Sequence, residues 1–271
     1  MAVVTLTTDF GLRDPYVAAM KGVILRLAPD SRLVDITHDV DSHDVVGAAL
    51  VLEAAVPFFP AGSIHLAVVD PGVGTARRGL VVQSADATFV GPDNGLFTPI
   101  LARGAWRAVE LAAADQRLPR VSRTFHGRDV FAPAAAHLAR GVPLERFGPE
   151  VDDPVRLAWP EVHTVGGAIA GAVLHVDRFG NLITSIAADA VEGLGTEASI
   201  HIGGRRLPLV GTYADLPRGA AGALIGSSQR LEVAVREGSA AAILKARRGT
   251  PVAVSPTSWK SGRKAPRTRR S

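Results

Sequence analysis

The run Ile64-His65-Leu66-Ala67-Val68-Val69 is nearly unbroken apolar sequence lying between a Pro-Ala-Gly turn and Asp70-Pro71-Gly72. A strand this apolar is buried on both faces, which is the habit of parallel sheets covered by helices on either side. The segments before it supply the covering pieces. Val3 to Thr7 is a short β-prone run, and Asp14-Pro15 reads as an N-cap followed by proline at the first helical position. Val17, Met20, Ile24 and Leu27 then recur at helical spacing until Pro29 stops the pattern. Leu33 to Thr37 reads as a second strand and Val45 to Phe58 as a second helix. Alternation of this kind predicts right-handed crossovers and an open, mostly parallel sheet, with ligands taken by the loops that follow the strands. Polar residues gather in those loops: Asp9 after the first strand, His38 to Asp44 after the second, Asp70 after the third.

The texture changes beyond Pro143, Pro149, Pro154 and Pro160, a stretch with little periodicity. From Ala168 the pattern is short and period-two. Ser199-Ile200-His201-Ile202 precedes Gly203-Gly204, and Leu231, Val233 and Val235 alternate with Glu232, Ala234 and Arg236. Such alternation predicts antiparallel hairpins. The expected organisation is an α/β domain over 1–146, a linker over 147–166, a smaller antiparallel β domain over 167–254 and a basic, disordered tail over 255–271.

The formal net charge of +4 suggests a polyanion as partner until its location is considered. Lys260, Arg263, Lys264, Arg267, Arg269 and Arg270 all lie in the tail, and setting them aside leaves 24 basic against 26 acidic residues. The body is mildly acidic. The absence of cysteine excludes disulfides, thiolate metal sites and a cysteine nucleophile. No basic and apolar leader opens the chain, and its best apolar stretch, Val45 to Phe59, is interrupted by Glu53. A soluble cytoplasmic protein is expected.

Walker A, G-x-S-x-G, H-E-x-x-H and strand-bound G-x-G-x-x-G signatures are all missing. Asp70 ends a buried strand, a Pro-Gly turn follows, and Arg77 comes seven residues later. A loop of this length can fold the arginine back onto the carboxylate, or leave a turn cap and a surface arginine. His126-Gly127 precedes an Ala-rich helix for which Asp129 reads as the N-cap, and His126 taken alone reads first as a packed side chain. His38, Asp39, Asp41, His43 and Asp44 are ligand types for a divalent metal, yet their spacing matches no standard motif and solvated or capping roles compete. Phe179-Gly180-Asn181 interrupts a strand pattern. Its aromatic face and amide suit a flat heterocycle such as adenine, and a hairpin turn with a core phenylalanine is the structural alternative.

Taken together, TTDFG, DITHDV, VVDPGVGTARR, GPDNGLF, TFHGRDVFAP, DRFGNLITSI and GSSQRLEVAVREGSAA, in order over residues 3 to about 245, resemble the S-adenosyl-L-methionine (SAM) hydroxide adenosyltransferases, relatives of the fluorinase and chlorinase enzymes. The resemblance implies an N-terminal α/β domain, a C-terminal β-barrel and a homotrimer with sites between subunits. It implies hydrolysis of SAM to adenosine and L-methionine without metal or other cofactor. The family's Asp-Arg-His set falls on Asp70, Arg77 and His126, with Arg78 the competing arginine. Asp9 would hold the ribose hydroxyls and Asp14 would lie near the amino-acid end. Asp177, Phe179 and Asn181 would contact the methionine amino group and adenine, with Ser227, Glu232 and Val235 on the adenine side. In the halogenases the Asp70 position is an aromatic hydroxyl residue, and the fluorinase has a hydroxyl at the Val73 position. A carboxylate repels halide but accepts a proton from water, so hydrolysis is favoured. The alternatives are a SAM-dependent halogenase and a non-catalytic nucleic-acid-binding protein acting through the tail.

Overall fold

The computed structural model describes residues 1–192 and 198–256; the basic tail from 257 lies outside the described residues. The chain divides into two compact units, residues 1–158 and the remainder.

The first unit contains β1 (Val3–Thr8), α1 (Tyr16–Leu27), β2 (Arg32–Thr37), α2 (Val45–Ala55), β3 (Ser63–Val68), β4 (Gly79–Ser84), β5 (Ala87–Pro92), α3 (Thr98–Leu101), β6 (Trp106–Glu110) and α4 (Ala132–Ala139). Its six strands are ordered β2-β1-β3-β5-β4-β6. The pairs β2/β1, β1/β3 and β3/β5 are parallel. The sheet ends in two antiparallel pairs, because β4 turns back directly onto β5 and β6 pairs with β4.

Strand alternation sorts the core into two layers. Val4, Leu6, Ile64, Leu66 and Val68 pack with Met20 and Ile24 of α1 and with the alanines of α4. Ala67, Leu80, Val82 and Phe89 pack with Ala48 and Leu52 of α2 and Ile100 of α3. The helical spacing expected of α1 is the face it buries, through Val17, Met20 and Ile24. His65, the one polar interruption in the most apolar strand, is fully buried. Its Nδ1 lies 2.8 Å from Thr5 Oγ1 and its ring stacks on Phe89 with centroids 5.1 Å apart. Burial lowers its pKa to about 4, so it packs as a neutral ring.

Of the proline-rich stretch, Pro149, Val155 and Leu157 hydrogen-bond into the first unit, to Glu110, Asp93 and Thr98. The second unit holds β7 (His163–Val165), β8 (Ala168–Val176), β9 (Leu182–Ala187), α5 (Ala188–Glu192), β10 (Ala198–Ile202), β11 (Arg205–Pro208), β12 (Ala221–Ile225), β13 (Arg230–Val235), α6 (Ala240–Leu244) and β14 (Pro251–Pro256). Its sheet runs β11-β10-β14-β8-β9-β13-β12, with β7 added on β8. Val210, just past β11, donates to the Ala223 carbonyl of β12 at 2.8 Å, bringing the two ends of the path together into a nearly closed barrel. Ile169, Val173, Ile186, Ile200, Leu231, Val233 and Val254 fill its interior.

Candidate active site

Asp70 follows β3 at the carboxyl edge of the first sheet, and the loop after it curls back within eight residues. The reversal needs Gly74 at φ +80, where a Cβ would sit 2.5 Å from the Arg123 carbonyl oxygen. Arg77 thereby reaches Asp70 with its fork: Nε donates to Oδ1 at 2.9 Å and to Oδ2 at 3.1 Å, and Nη2 donates to Oδ2. Both side chains are largely buried, Asp70 at 5% and Arg77 at 12% exposure. The same Nη2 lies 2.9 Å from Nδ1 of His126. Because a guanidinium only donates, Nδ1 accepts and the proton of the neutral ring sits on Nε2. Burial, followed by the positive charge of Arg77, holds the His126 pKa below its ordinary value.

The arginine that meets Asp70 is therefore Arg77. Arg78 points elsewhere, to Asp93 at 2.8 Å and Asp153 at 2.8 Å. Phe131 supports the group from beneath, with the Arg77 guanidinium carbon 5.2 Å from its ring centroid.

His126 opens a π-turn over Gly127–Phe131 that runs into α4. Wide turns of this type cluster at functional sites. The expected N-cap role of Asp129 is not what the structure shows: the wide turn carries the residue inside the helix, where it is 1% exposed. Its carboxylate accepts from Ser122 N at 2.8 Å and from Arg128 Nε at 2.6 Å. Burial works to raise its pKa, but the Arg128 and Ser122 bonds prevail and hold it below the ordinary carboxylate range. A depressed folded-state pKa adds stability that is fully present above about pH 3.9 and is lost as pH falls through the folded value. Asp129→Asn should therefore be less stable than wild type at pH 7 by urea denaturation, with the gap closing as the pH is taken towards 2.

Asp9 follows β1, and its Oδ2 accepts from the backbone N–H of His43 at 2.9 Å. Among the described residues His43 is one of few non-glycine residues at positive φ, +66. Phe10, Tyr16 and Phe125 form an edge-on cluster, with centroids 5.8, 5.9 and 5.1 Å apart, that ties the loop after Asp9 to the start of α1 and to the residue before His126. Asp14 is exposed, and no side chain caps α1, which starts one residue later than expected, behind Pro15. The capping half of its dual reading is thus absent. The ligand types after β2 do not converge: Asp44 caps α2 through Gly47 N at 3.0 Å, and His38 Nδ1 lies 2.8 Å from Thr8 Oγ1. No group of three His, Asp or Glu side chains suited to a metal ion occurs among the described residues.

In the second unit, Asp177 to Asn181 form the turn between β8 and β9. Asp177 Oδ1 accepts from the N–H groups of Phe179 at 2.9 Å and Asn181 at 2.8 Å, and its Oδ2 accepts from Asn181 Nδ2 at 3.0 Å. Gly180 closes the turn at φ +83, where a Cβ would collide with Ser239. Phe179 is 76% exposed, so the alternative of a core phenylalanine does not apply. Glu232 is buried in β13 and accepts from the Tyr213 hydroxyl at 2.5 Å. Burial raises its pKa, the nearby Asp177 charge adds to this, and the tyrosine bond opposes it. Ser227 is exposed in the β12–β13 turn. Val235 stands on the opposite face of β13 from Glu232, inside the barrel core, leaving its backbone as the group it can offer. Nothing in the local sequence pattern marks Tyr213, Phe131 or Tyr16.

Comparison with known proteins places these features in a family. Residues 4–148 match the SAM hydroxide adenosyltransferase N-terminal domain and residues 171–253 the corresponding C-terminal domain. A Thermus thermophilus protein named (R)-S-adenosyl-L-methionine hydrolase is 44% identical over 93% of this chain and 99% of its own length. A fluorinase from an Actinoplanes species is 30% identical over 79% of this chain and 83% of its own. A conserved protein from Thermotoga maritima, known from its crystal structure, superposes with a TM-score of 0.86 at 33% identity, covering 93% of this chain and 99% of that one.

Proposed function

The chain belongs to the SAM hydroxide adenosyltransferase family, and from that premise we propose that it hydrolyses S-adenosyl-L-methionine to adenosine and L-methionine. The observation that carries the reading is the Arg77 fork, which joins the Asp70 carboxylate to a neutral His126. Water attacks the ribose C5′ as the C5′–S bond breaks, and the bonding pair leaves with sulfur as a neutral thioether. The water proton passes to Asp70, whose Oδ1 keeps a free acceptor position beside its single bond from Arg77 Nε. Arg77 holds that carboxylate in place, and His126 keeps Nε2–H as a donor for the attacking oxygen. The sulfonium is already a good leaving group, so the chemistry calls for alignment and exclusion of bulk water, and needs no resident metal or cofactor.

Asp9 takes the ribose hydroxyls and Asp14 the amino-acid end. The working assembly is a homotrimer in which Asp177, Phe179 and Asn181 of one subunit complete the site of the next, with Ser227, Glu232 and Val235 towards the adenine. Phe179, exposed at the tip of its turn, is accessible to a neighbouring subunit. Light scattering at micromolar concentration should give three times the chain mass. No described helix is long and apolar enough to cross a membrane.

Incubation with SAM should yield adenosine and methionine by chromatography, whether or not chloride is present. Chloride-dependent 5′-chloro-5′-deoxyadenosine in place of adenosine would identify a halogenase and reject the reading. The pH profile carries a further expectation. With its pKa held below the ordinary 6.5, His126 is neutral throughout the physiological range. The kcat should fall on the acid side with a midpoint below 6.5, when protonation would set an imidazolium beside Arg77. A midpoint above 6.5 would contradict the neutral-donor role.

A further inference from the structure

Two adjacent residues after β5 hold the two ends of the loop that carries Asp70 and Arg77. Asn94 Nδ2 donates to the carbonyl of Val69, the residue before Asp70, at 2.9 Å, while its Oδ1 accepts from Leu96 N at 3.2 Å. Asp93 Oδ2 accepts from Nε of Arg78, the residue after Arg77, at 2.8 Å, and its backbone N–H donates to the Arg78 carbonyl at 3.0 Å. The remaining oxygen of Asp93 accepts from Val155 N at 2.8 Å, and the far end of Arg78 reaches Asp153. The Asp93 side chain is 2% exposed, so the ion pair with Arg78 is geometrically demanding and costly to break.

Between the clamped ends, the loop's own backbone bonds are two turn contacts, Val73 N to Asp70 O at 3.2 Å and Thr75 N to Gly72 O at 3.1 Å. A turn built on Gly72 and Gly74 has many conformations open to it unless both ends are fixed. We propose that Asn94 and Asp93 are positioning residues, a two-point clamp that sets the span from Val69 to Arg78 so that the fork of Arg77 meets Asp70 and His126 together. Neither residue is assigned contact with substrate; each acts through the loop. For the kinetic part this rests on the hydrolase reading above, and misalignment of about 1 Å in such a site costs roughly 100-fold in rate.

The decisive variant is Asn94→Asp, which keeps the size and the acceptor for Leu96 N but loses the donor to Val69. Its kcat should fall about 10- to 100-fold, with KM for SAM and the urea midpoint close to wild type. In an Arg77→Ala background the same substitution should cost less than about 3-fold, because the geometry it maintains is already gone. A loss of the same size in both backgrounds would overturn the proposal.

A second readout does not depend on turnover. Nitrogen-15 NMR of the His126 ring in wild type should show an accepting Nδ1 and a titration midpoint below 6.5. In Asn94→Leu, which removes the donor without adding a charge, the midpoint should move up towards the ordinary histidine value as Arg77 slips away. An unchanged titration would overturn the clamp even if the enzyme is active. If wild type forms no adenosine, the hydrolase reading fails while the ring titration still decides the clamp. Should Asn94→Asp not fold, the Asn94→Leu titration still decides the clamp.

Discussion

Asp70→Ala should lower kcat for adenosine formation by about 10²- to 10⁴-fold, the range typical of removing a general base. The loss has two parts. The acceptor for the water proton disappears, and Arg77, a largely buried cation, is left without the carboxylate that accepts from both its Nε and its Nη2. Asp70→Asn separates them. The amide fills the same space and retains one acceptor oxygen, but it takes up no proton and presents an NH₂ group to the guanidinium. Its kcat should fall nearly as far as that of Asp70→Ala. SAM affinity by calorimetry should change much less for either variant, because ribose and amino-acid contacts are assigned to other residues. Wild-type turnover in Asp70→Asn would remove Asp70 from the mechanism.

Phe131→Ala should destabilise the first unit by about 3–5 kcal/mol, the usual cost of truncating a buried phenylalanine. The ring is fully buried in the layer beneath α1 and α4 and also forms the floor under Arg77. Phe131→Leu tests the second role apart from the first. It fills most of the cavity and should retain much of that stability, yet it has no π-face for the guanidinium. The cation–π contact is worth roughly 0.5–2 kcal/mol, and its loss should appear as reduced kcat with the urea midpoint shifted far less than in Phe131→Ala. Equal effects of the two variants on stability would mean that the ring face, rather than its volume, dominates.

The alternating layers of the first unit could be read from residues because burial and periodicity have one cause. Val17, Met20 and Ile24 recur at helical spacing since that face must meet the sheet. The Asp70–Arg77 contact was also open to reading, being a matter of a tight loop over seven residues. The bond from Arg77 to His126 spans 49 residues of sequence, and only the family resemblance suggested it. Asp129 departs from the expected cap for a local reason: a carboxylate ahead of an alanine run looks like a cap, whereas a π-turn draws it inward onto Arg128. Phe179 has the composition of a core residue and the exposure of a contact residue, a distinction set by the turn that Asp177 organises. Asp93 and Asn94 carry no pattern of their own, because their importance comes from what lies opposite them in the fold.

The β4–β5 hairpin also bears on how the site comes into being as the chain folds. Its strands meet across the short Ser84–Ala87 turn, whereas β1 pairs with β3 only after some 60 intervening residues have been gathered in. Closing a short loop has a smaller entropy cost than closing a long one, and local contacts form faster. The hairpin is therefore favoured to assemble early, with Arg78 entering it and Asp93 leaving it on the same side. The scaffold for the Asp70 loop can thus exist before the parallel pairing of β1 with β3 brings in Asp9 and before the turn ahead of α4 brings His126 to Arg77, and chemistry begins only when those slower steps are complete.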